Sequence, residues 1–322
     1  MHFVLALHSH LPWVLNHGRW PHGSDWLCEA ALDTYLPLVE QLRALEAARV
    51  PAPITLGVTP VLANQLASPT FVAEMEAFFA QRLLACDEAQ ASLAANGEAH
   101  LVPLVVFWRE RLTRLRRLFH DLGGDIVAAL RSLEDSGRIE TITSAATHGF
   151  LPLLARDESI RLQLAVGRAE HRRLFGHLAQ GIWVPECAYR PRGPWQPWAS
   201  APRSSIRRGI EEHLGDAGFR FFFVDSHLAS AGRPLGIYGD PSAAAVVHRS
   251  TARPDGLGHR SPYRAYEVAP WRSEGIAALV RDPRSSTQVW SRYHGYPGDG
   301  SYLEFHKMRW PGGLKLWRVT GG

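Results

Sequence analysis

The chain has 322 residues, of which 46% are hydrophobic, and its formal net charge at pH 7 is +4. This length can bury a large core, and it fits either one barrel-sized domain or two smaller domains. No apolar run approaches the roughly 18 residues that span a bilayer, and His8 interrupts the opening "MHFVLAL" too early for a secretory signal, so we expect a cytoplasmic protein. Three cysteines, Cys28, Cys86 and Cys187, are too few and too scattered for a disulfide framework or a cysteine zinc site.

The basic residues do not indicate a nucleic-acid partner. All of them except Lys307 and Lys315 are arginines, and they are spread among acidic residues. The densest run, "RERLTRLRR" at 109–117, is typical of the solvated face of an amphipathic helix. The chain also has 11 tryptophans, more than a core requires, and indole faces stack well on sugar rings. The composition is therefore compatible with carbohydrate binding, and it favours neither nucleic acid nor a membrane as a partner.

The first half of the chain reads as two strands followed by a long helical stretch. "HFVLALHSHLP" predicts a buried strand whose end turns polar at His8 and His10. "SDWLCEAALDTYLPLVEQLRALEAA" has helical spacing, with Ser24 as the predicted N-cap, and "APITLGVTPVLANQL" predicts a second strand and a turn. Residues 68–135 are almost wholly helical in pattern, and we interpret part of them, about 68–120, as a helical insertion.

The second half returns to alternating strands and helices. "IETITSAATHGFLPLL" predicts a strand that leads to His148, and a helix is expected over 157–179. "GIWVPECAY" then predicts a strand, "SIRRGIEEHLGDAG" a helix, and "FRFFFVDSHL" a strand that ends at Asp225. Beyond residue 226, "ASAGRPLGIYGDPSAAA" and "STARPDGLGHRSPYRAYE" read as loops, and "GIAALVRDPRSSTQVWS" as two short strands around a turn. This alternation predicts a parallel α/β barrel, whose active-site face lies at the C-terminal ends of the strands.

Two histidines two positions apart, His8 and His10, point to the same face of the first strand. They could bind a metal ion, with a third ligand from His148 or Asp225, because zinc requires at least three protein ligands. They could equally form a hydrogen-bonded pair in a polar barrel mouth. Their spacing alone leaves both interpretations open.

An acidic residue, Glu186, ends an apolar stretch in "GIWVPECAY". A buried carboxylate without a partner is costly, so Glu186 is either half of an ion pair or part of a catalytic site. A carboxylate at a strand end can attack an anomeric carbon while a second carboxylate acts as general acid. On the residues alone, Asp225 is the candidate for that second role.

Five blocks carry a family resemblance. "HSHLPW", "THGFLPLL", "GIWVPECAY", "FFFVDSHL" and "QVWSRYHGYPGDGSYLEFHK" occur in this order, and together they resemble glycoside hydrolase family 57, in particular its 1,4-α-glucan branching enzymes. The resemblance runs from Met1 to Gly322. It implies an incomplete (β/α)7 barrel with a helical insertion, a retaining mechanism on an α-glucan such as amylose or glycogen, and no metal or other cofactor. The metal interpretation of His8 and His10 is set aside on this ground.

The resemblance also assigns roles to individual residues. Glu186 matches the catalytic nucleophile of the family, and Tyr238 resembles a tyrosine at the tip of a mobile loop that favours transfer to a glucan over transfer to water. An ordinary surface turn is the alternative interpretation of Tyr238. The residues that the resemblance implies for substrate binding are His8, His10, Trp26, His148, Tyr238, Arg281, Trp290 and Gly298.

The chain also departs from the family pattern. The family's acid/base is an aspartate downstream of "GYPGD", followed by a helical C-terminal domain, and both would lie beyond Gly322. Asp225 falls in a different block, so it can replace the family's acid/base aspartate only if this chain holds a complete active site. We therefore expect the N-terminal catalytic barrel of a branching enzyme, which a separate C-terminal polypeptide could complete.

Three other activities stay open at this point. An α-amylase or 4-α-glucanotransferase of the same family would share the barrel and the nucleophile. A non-catalytic glucan-binding protein would keep the tryptophans without turning over substrate. A metal-dependent polysaccharide deacetylase would rest on His8, His10 and Asp225 alone.

Overall fold

The computed structural model describes residues 3–20, 22–51, 53–195, 205–226, 228, 261–268, 275–290, 307–310 and 312–317. The chain divides into two compact units. Unit 1 comprises Met1–His148, Ala165–Ala179 and Val289–Gly322, and unit 2 comprises Gly149–Leu164 and Gln180–Gln288.

Unit 1 contains a three-stranded parallel sheet. Its strands are β1 (Ala6–Ser9), β2 (Ile54–Val58) and β3 (Ile139–Ile142), in the order β1-β2-β3. Each is shorter than the apolar run that predicted it. The middle strand, "ITLGV", is mostly buried, as expected for a strand with neighbours on both sides. All three strands run in the same direction, so their C-terminal ends lie at one edge of the sheet.

Most of unit 1 is helical, and the helices keep their apolar stripes inward. In the predicted helical stretch, the buried residues of one helix recur at helical spacing: Val105, Trp108, Leu112, Leu115 and Phe119. The prediction of helix over 68–135 is confirmed, while its status as an insertion stays a prediction. The helices that lie wholly in unit 1 are α1 (Ser24–Ala30), which continues through a π-helical turn at Ala31–Tyr35 into α2 (Leu36–Ala47), then α3 (Pro60–Leu66), α4 (Pro69–Ala95), α5 (Val102–Asp121) and α6 (Ile126–Asp135).

Two N-terminal predictions in unit 1 are wrong. Gly23, not Ser24, occupies the N-cap of α1, and the Ser24 hydroxyl donates a hydrogen bond to Glu74 at 2.9 Å instead. The segment after β2 forms helix α3 rather than a turn, because the Thr59 side chain caps its first turn and Pro60 stands at its first position.

Unit 2 contains a four-stranded sheet and a two-stranded hairpin. The sheet order is β4-β7-β9-β8, with the first three strands parallel and β8 antiparallel to β9, while β5 pairs with β6. Helix α7 (Asp157–Phe175) is divided between the two units. The strands in chain order are β4 (Gly181–Ile182), β5 (Gly193–Trp195), β6 (Ser205–Arg207), β7 (Phe221–Val224), β8 (Ala265–Val268) and β9 (Ile276–Val280). Helix α8 (Ile210–Asp216) lies between β6 and β7, and α9 (Pro283–Trp290) follows β9, with its last two residues in unit 1.

Three element predictions in unit 2 need correction. The segment "SIRRGIEEHLGDAG" begins as strand β6 and turns helical only at Ile210. The segment "GIAALVRDPRSSTQVWS" holds one strand, β9, followed by helix α9, because the Asp282 carboxylate accepts from the backbone N–H of Arg284 and Ser285 at 3.2 and 3.0 Å. Part of the second predicted loop forms strand β8.

The predicted α/β class is confirmed. The strands that the structure describes lie in three separate sheets, of three, four and two strands, and do not close a barrel, so the incomplete (β/α)7 barrel stays a prediction. Within the same described residues, no helix is long and apolar enough to cross a membrane.

Candidate active site

Three predicted residues of unit 1 form one cluster at the C-terminal end of its sheet. His8 lies in β1, His10 follows that strand, and His148 follows β3. The His8 and His148 Nε2 atoms are 3.1 Å apart, and the rings of His10 and His148 stack with centroids 3.9 Å apart. Parallel strands bring these side chains together from positions 140 residues apart in the chain.

Neighbouring residues fix two of these rings. His10 Nδ1 lies 3.2 Å from the hydroxyl oxygen of Thr59, the residue that also caps α3 after β2. A Cβ atom at Gly57, beside His8 in β2, would lie 3.1 Å from His8 Nδ1, so the ring uses the space that glycine leaves. Sequence reasoning did not identify Thr59, although a Thr-Pro pair directly after a strand is a readable helix-start signal.

The His148 imidazole is neutral at neutral pH. Burial, together with the nearby charge of His10, lowers the pKa of His148 from 6.5 to about 4. A neutral ring offers one donor and one acceptor, which suits hydrogen bonds to sugar hydroxyls. Among the residues that the structure describes, no group of three or more His, Cys, Asp and Glu side chains has the arrangement of a metal site.

In unit 2, Glu186 lies on a tight turn at the C-terminal end of β4. The turn spans Pro185–Cys187, and Glu186 adopts φ 57° and ψ 21°, with Cys187 at φ 51°. Left-handed backbone costs a non-glycine residue on the order of 1–3 kcal/mol and is concentrated at functional sites. His148 also has a positive φ, 56°, so strained backbone occurs at predicted site residues in both units.

The expectation that Glu186 is buried is wrong. Strand β4 has only two residues, and the turn that follows it exposes the Glu186 side chain while Cys187 is buried. The costly buried carboxylate that the sequence suggested is therefore not present. The left-handed turn, and not the burial of a charge, now distinguishes this residue.

The neighbouring strand ends of unit 2 carry two further predicted residues. Asp225 follows β7 and Arg281 follows β9, and Arg281 Nη1 lies 3.9 Å from Asp225 Oδ1. The Arg281 guanidinium also hydrogen-bonds the Cys187 thiol and lies 5.8 Å from the centre of the Trp183 ring. Burial raises the pKa of the Cys187 thiol to about 12, although the charge of Arg281 lowers it, so the thiol stays protonated. Three adjacent parallel strands thus place Glu186, Asp225 and Arg281 at one end of the unit 2 sheet.

The remaining predicted residues are less informative. Trp26 lies in α1 with 37% of its surface exposed, and its ring meets His22 edge to face at 6.0 Å. Trp290 is the last residue of α9. Tyr238 and Gly298 lie outside the described residues, and their roles in substrate binding stay predictions.

A family model settles which enzymes these motifs belong to. The model of glycosyl hydrolase family 57 matches residues 4–308. The chain belongs to this family. Family 57 membership accounts for the order of the five sequence blocks, and it makes this chain one of a group of carbohydrate-active enzymes.

Among family 57 relatives, a 1,4-alpha-glucan branching enzyme of Thermococcus kodakarensis is 38% identical over 319 residues, which are 99% of this chain and 44% of that protein. Its crystal structure, solved with glucose and additives, matches with a TM-score of 0.82 at 36% identity, over 99% of this chain and 54% of that one. A novel alpha-amylase, AmyC from Thermotoga maritima, matches with a TM-score of 0.73 at 25% identity, over 99% of this chain and 56% of that one. The chain spans about half the length of the curated relatives it matches.

Proposed function

We propose that this family 57 chain carries the nucleophile of a retaining 1,4-α-glucan branching enzyme. The observation that carries the proposal is the 38% identity to the Thermococcus branching enzyme across 99% of this chain, against 25% to the amylase. The incomplete (β/α)7 barrel, with residues of about 68–120 as an insertion, belongs to the same proposal.

The proposed reaction has two displacements. The Glu186 carboxylate attacks the anomeric carbon of an α-1,4 linked glucan, the C1–O bond breaks, and the departing 4-oxygen takes a proton from a general acid. A 6-hydroxyl of a second glucan segment then attacks C1, gives its proton to the same group, and releases the glutamate. Two inversions leave an α-1,6 linkage. The exposure of Glu186 supports this role, because the attacking oxygen must reach the sugar ring.

The proton donor is a separate part of the proposal. We place the family's acid/base aspartate outside these 322 residues, in a further polypeptide or segment. Asp225 is the substitute to be tested, although its contact with Arg281 at 3.9 Å gives it a structural partner on its own sheet.

Substrate contacts complete the proposal. The histidines of unit 1 are suited to glucan hydroxyls because His148 is neutral, so that one of its ring nitrogens donates a hydrogen bond and the other accepts one. Arg281 is suited to a hydroxyl because its guanidinium has more donors than its contacts with Asp225 and Cys187 use. The residues proposed to bind glucan are His8, His10, Trp26, His148, Tyr238, Arg281, Trp290 and Gly298.

An α-amylase is the second candidate, and it is favoured by the Thermotoga structure, which this chain matches along 99% of its length. The two activities differ only in the acceptor: a glucan 6-hydroxyl for branching, and water for hydrolysis. The linkage of the product therefore separates them.

The experiment incubates the purified chain with amylose and then treats the product with isoamylase, which cuts α-1,6 bonds. Branching predicts short chains released by isoamylase and few new reducing ends before it, whereas an amylase produces reducing ends directly. Glu186→Gln is the control and removes either product. Amylose binding without turnover by the chain alone is the result expected if Asp225 does not replace the missing acid/base. Binding without turnover when the polypeptide or segment with that aspartate is also supplied, unchanged in Glu186→Gln, would replace the proposal with a non-catalytic glucan-binding protein.

A further inference from the structure

Segment 11–15 follows His10 directly and leaves the unit 1 sheet without forming a helix or a strand. Three of its side chains, those of Leu11, Val14 and Leu15, are nevertheless buried. They bring the backbone between them close to the core, where N–H and C=O groups require hydrogen-bond partners. The segment therefore depends on contacts from another element.

The side-chain amide of Gln65 provides two of these partners. Gln65 lies in α3 and is completely buried. Its Oε1 atom accepts from the backbone N–H of Val14 at 2.7 Å, and its Nε2 atom donates to the carbonyl oxygen of Pro12 at 2.9 Å. The partners fix the orientation of the amide, because a backbone N–H only donates and a carbonyl oxygen only accepts. One side chain thus binds residues 12–14 as the backbone of a neighbouring strand would.

Helix α3 contacts the same stretch of chain at both of its ends. At its start, the hydroxyl oxygen of the capping residue Thr59 lies 3.2 Å from Nδ1 of His10. Near its end, Gln65 holds the backbone that follows His10. Leu62 and Leu66 of the same helix are buried in the core of unit 1. The helix is therefore a fixed frame for both the ring of His10 and the backbone after it.

The position of His10 determines its contact with His148. The two rings stack with centroids 3.9 Å apart and with planes 15° from parallel, so a displacement of segment 11–15 would separate them. Burial first, and then the charge of His10, lowers the pKa of His148 to about 4. If His10 moved away and water entered, both causes would weaken and the pKa of His148 would rise towards 6.5. The titration of His148 therefore reports the position of His10.

We propose that Gln65 is a positioning residue: its amide holds segment 11–15 to helix α3 and thereby keeps the His10 ring stacked on His148. Gln65 is buried, so it acts through the backbone of Pro12 and Val14 and not by contact with a substrate. The consequence for glucan binding rests on the proposed function of the histidines, whereas the coupling of Gln65 to their rings does not.

The test measures two properties by NMR in the wild-type chain and in Gln65→Met, which keeps the length of the side chain and loses both hydrogen bonds. The first is hydrogen exchange at the Val14 amide, which is expected to be faster by about tenfold, the order expected when a buried hydrogen bond is lost. The second is the pKa of His148, whose ring signals are assigned with His148→Gln, and it is expected to rise from about 4 towards 6.5. Core amides of α5, such as that of Leu112, keep their exchange rates and show that the fold is intact.

Asn64, the neighbour of Gln65 in α3, gives a matched control. Its amide donates to Glu170 at 2.8 Å and accepts from Arg173 at 2.7 Å, so it connects α3 to α7 rather than to segment 11–15. Asn64→Ala removes side-chain hydrogen bonds from the same helix and is expected to leave both the Val14 exchange rate and the His148 titration unchanged.

Gln65→Glu distinguishes the two hydrogen bonds of the amide from simple packing. A protonated carboxyl group can accept from Val14 and donate to Pro12, whereas the ionised group can only accept and repels the carbonyl oxygen of Pro12. Because burial raises the pKa of a carboxyl group, the His148 ring signals of this variant are expected to match those of the wild type at about pH 5 and to depart from them at about pH 8. This response also decides the case where Gln65→Met does not fold.

Two results would overturn the proposal. One is an unchanged His148 titration in Gln65→Met, with or without faster exchange at Val14, and the other is equal acceleration of all measured amides. Where the chain binds a maltooligosaccharide, calorimetric titration is expected to give an affinity about tenfold lower in Gln65→Met and unchanged in Asn64→Ala. If the wild-type chain binds no maltooligosaccharide, the substrate role proposed for His10 fails, while the NMR measurements still decide the role of Gln65.

Discussion

The two candidate clusters are built in opposite ways. Both lie at the C-terminal ends of parallel strands, but the unit 1 cluster consists of stacked imidazoles, whereas the unit 2 cluster combines two carboxylates and a guanidinium. The imidazoles lie in or after strands of four residues, while Glu186 follows a strand of only two. The Glu186 turn has backbone hydrogen bonds of its own, from the N–H of Cys187 to Val184 at 2.8 Å and from that of Ala188 to Pro185 at 3.1 Å. The comparison teaches that the same strand-end position carries packed and hydrogen-bonded rings in one unit and an exposed carboxylate on left-handed backbone in the other.

The largest expected effect is on the chemistry of unit 2. Glu186→Gln keeps the size of the side chain and removes its charge and nucleophilicity, so the branching rate falls by at least about 10⁴-fold, the order seen when a nucleophile is lost. Because the side chain is exposed, the free energy of unfolding changes by less than about 0.5 kcal/mol. Chain-length analysis after debranching and denaturant unfolding measure the two effects. A stability loss as large as the activity loss would show that Glu186 is structural.

The next largest effect concerns the buried charges that support unit 2. Arg207 is 5% exposed, and its guanidinium binds Asp157 Oδ1 through two nitrogens at 2.8 and 2.6 Å. Asp157→Asn leaves the guanidinium buried without a carboxylate, which is expected to lower the free energy of unfolding by about 3 kcal/mol. Urea denaturation, monitored with a spectroscopic probe in unit 2, measures this loss in the free energy of unfolding. A loss of unfolding free energy below about 1 kcal/mol, the size expected for a surface ion pair, would show that this ion pair does not stabilise unit 2.

The histidines of unit 1 predict a pH dependence with a defined sign. The pKa of His148 is about 4 in the folded chain and 6.5 in the unfolded chain, so the unfolded state binds more protons between these values. The stabilising contribution of the neutral ring is therefore complete above pH 6.5, is lost as the pH falls towards 4, and changes no further below that. His148→Gln is expected to flatten this slope in unfolding experiments.

The neighbour of His148 gives a matched control. The charge of His10 is the second cause of the low His148 pKa, after burial, so His10→Gln is expected to raise the His148 midpoint in an NMR titration without restoring 6.5. An unchanged midpoint would show that burial alone sets it.

The smallest expected effect is steric. Gly57→Ala places a methyl group 3.1 Å from His8 Nδ1, so the ring must shift by a few tenths of an ångström. We expect a stability loss of about 1 kcal/mol and weaker binding of a maltooligosaccharide, because His8 contacts the His148 ring. Calorimetric titration of Gly57→Ala measures the binding, and unchanged affinity would argue against a substrate role for His8.

Much of the candidate site could be predicted from the sequence because its residues follow short apolar runs. His8, Glu186 and Asp225 each come at or just after the end of such a run, and parallel strands collect such ends at one edge of a sheet. The sequence could not show that Glu186 is exposed, since a Trp-Val-Pro run looks the same whether it continues a strand or leaves it. Helix α9 was also missed, because the prediction of two short strands around a turn did not take account of the cap that the Asp282 side chain provides.

The sequence by itself determined the α/β class, the helical stretch over 68–135 and the family 57 motifs, because these depend on local periodicity and on residue identity. Only the tertiary structure decided the contact of His10 with Thr59, 49 positions away, and that of His8 with His148, 140 positions away. The physical reason is that a hydrogen bond between distant residues depends on the packing of whole elements, while periodicity reports only which face of each element is buried.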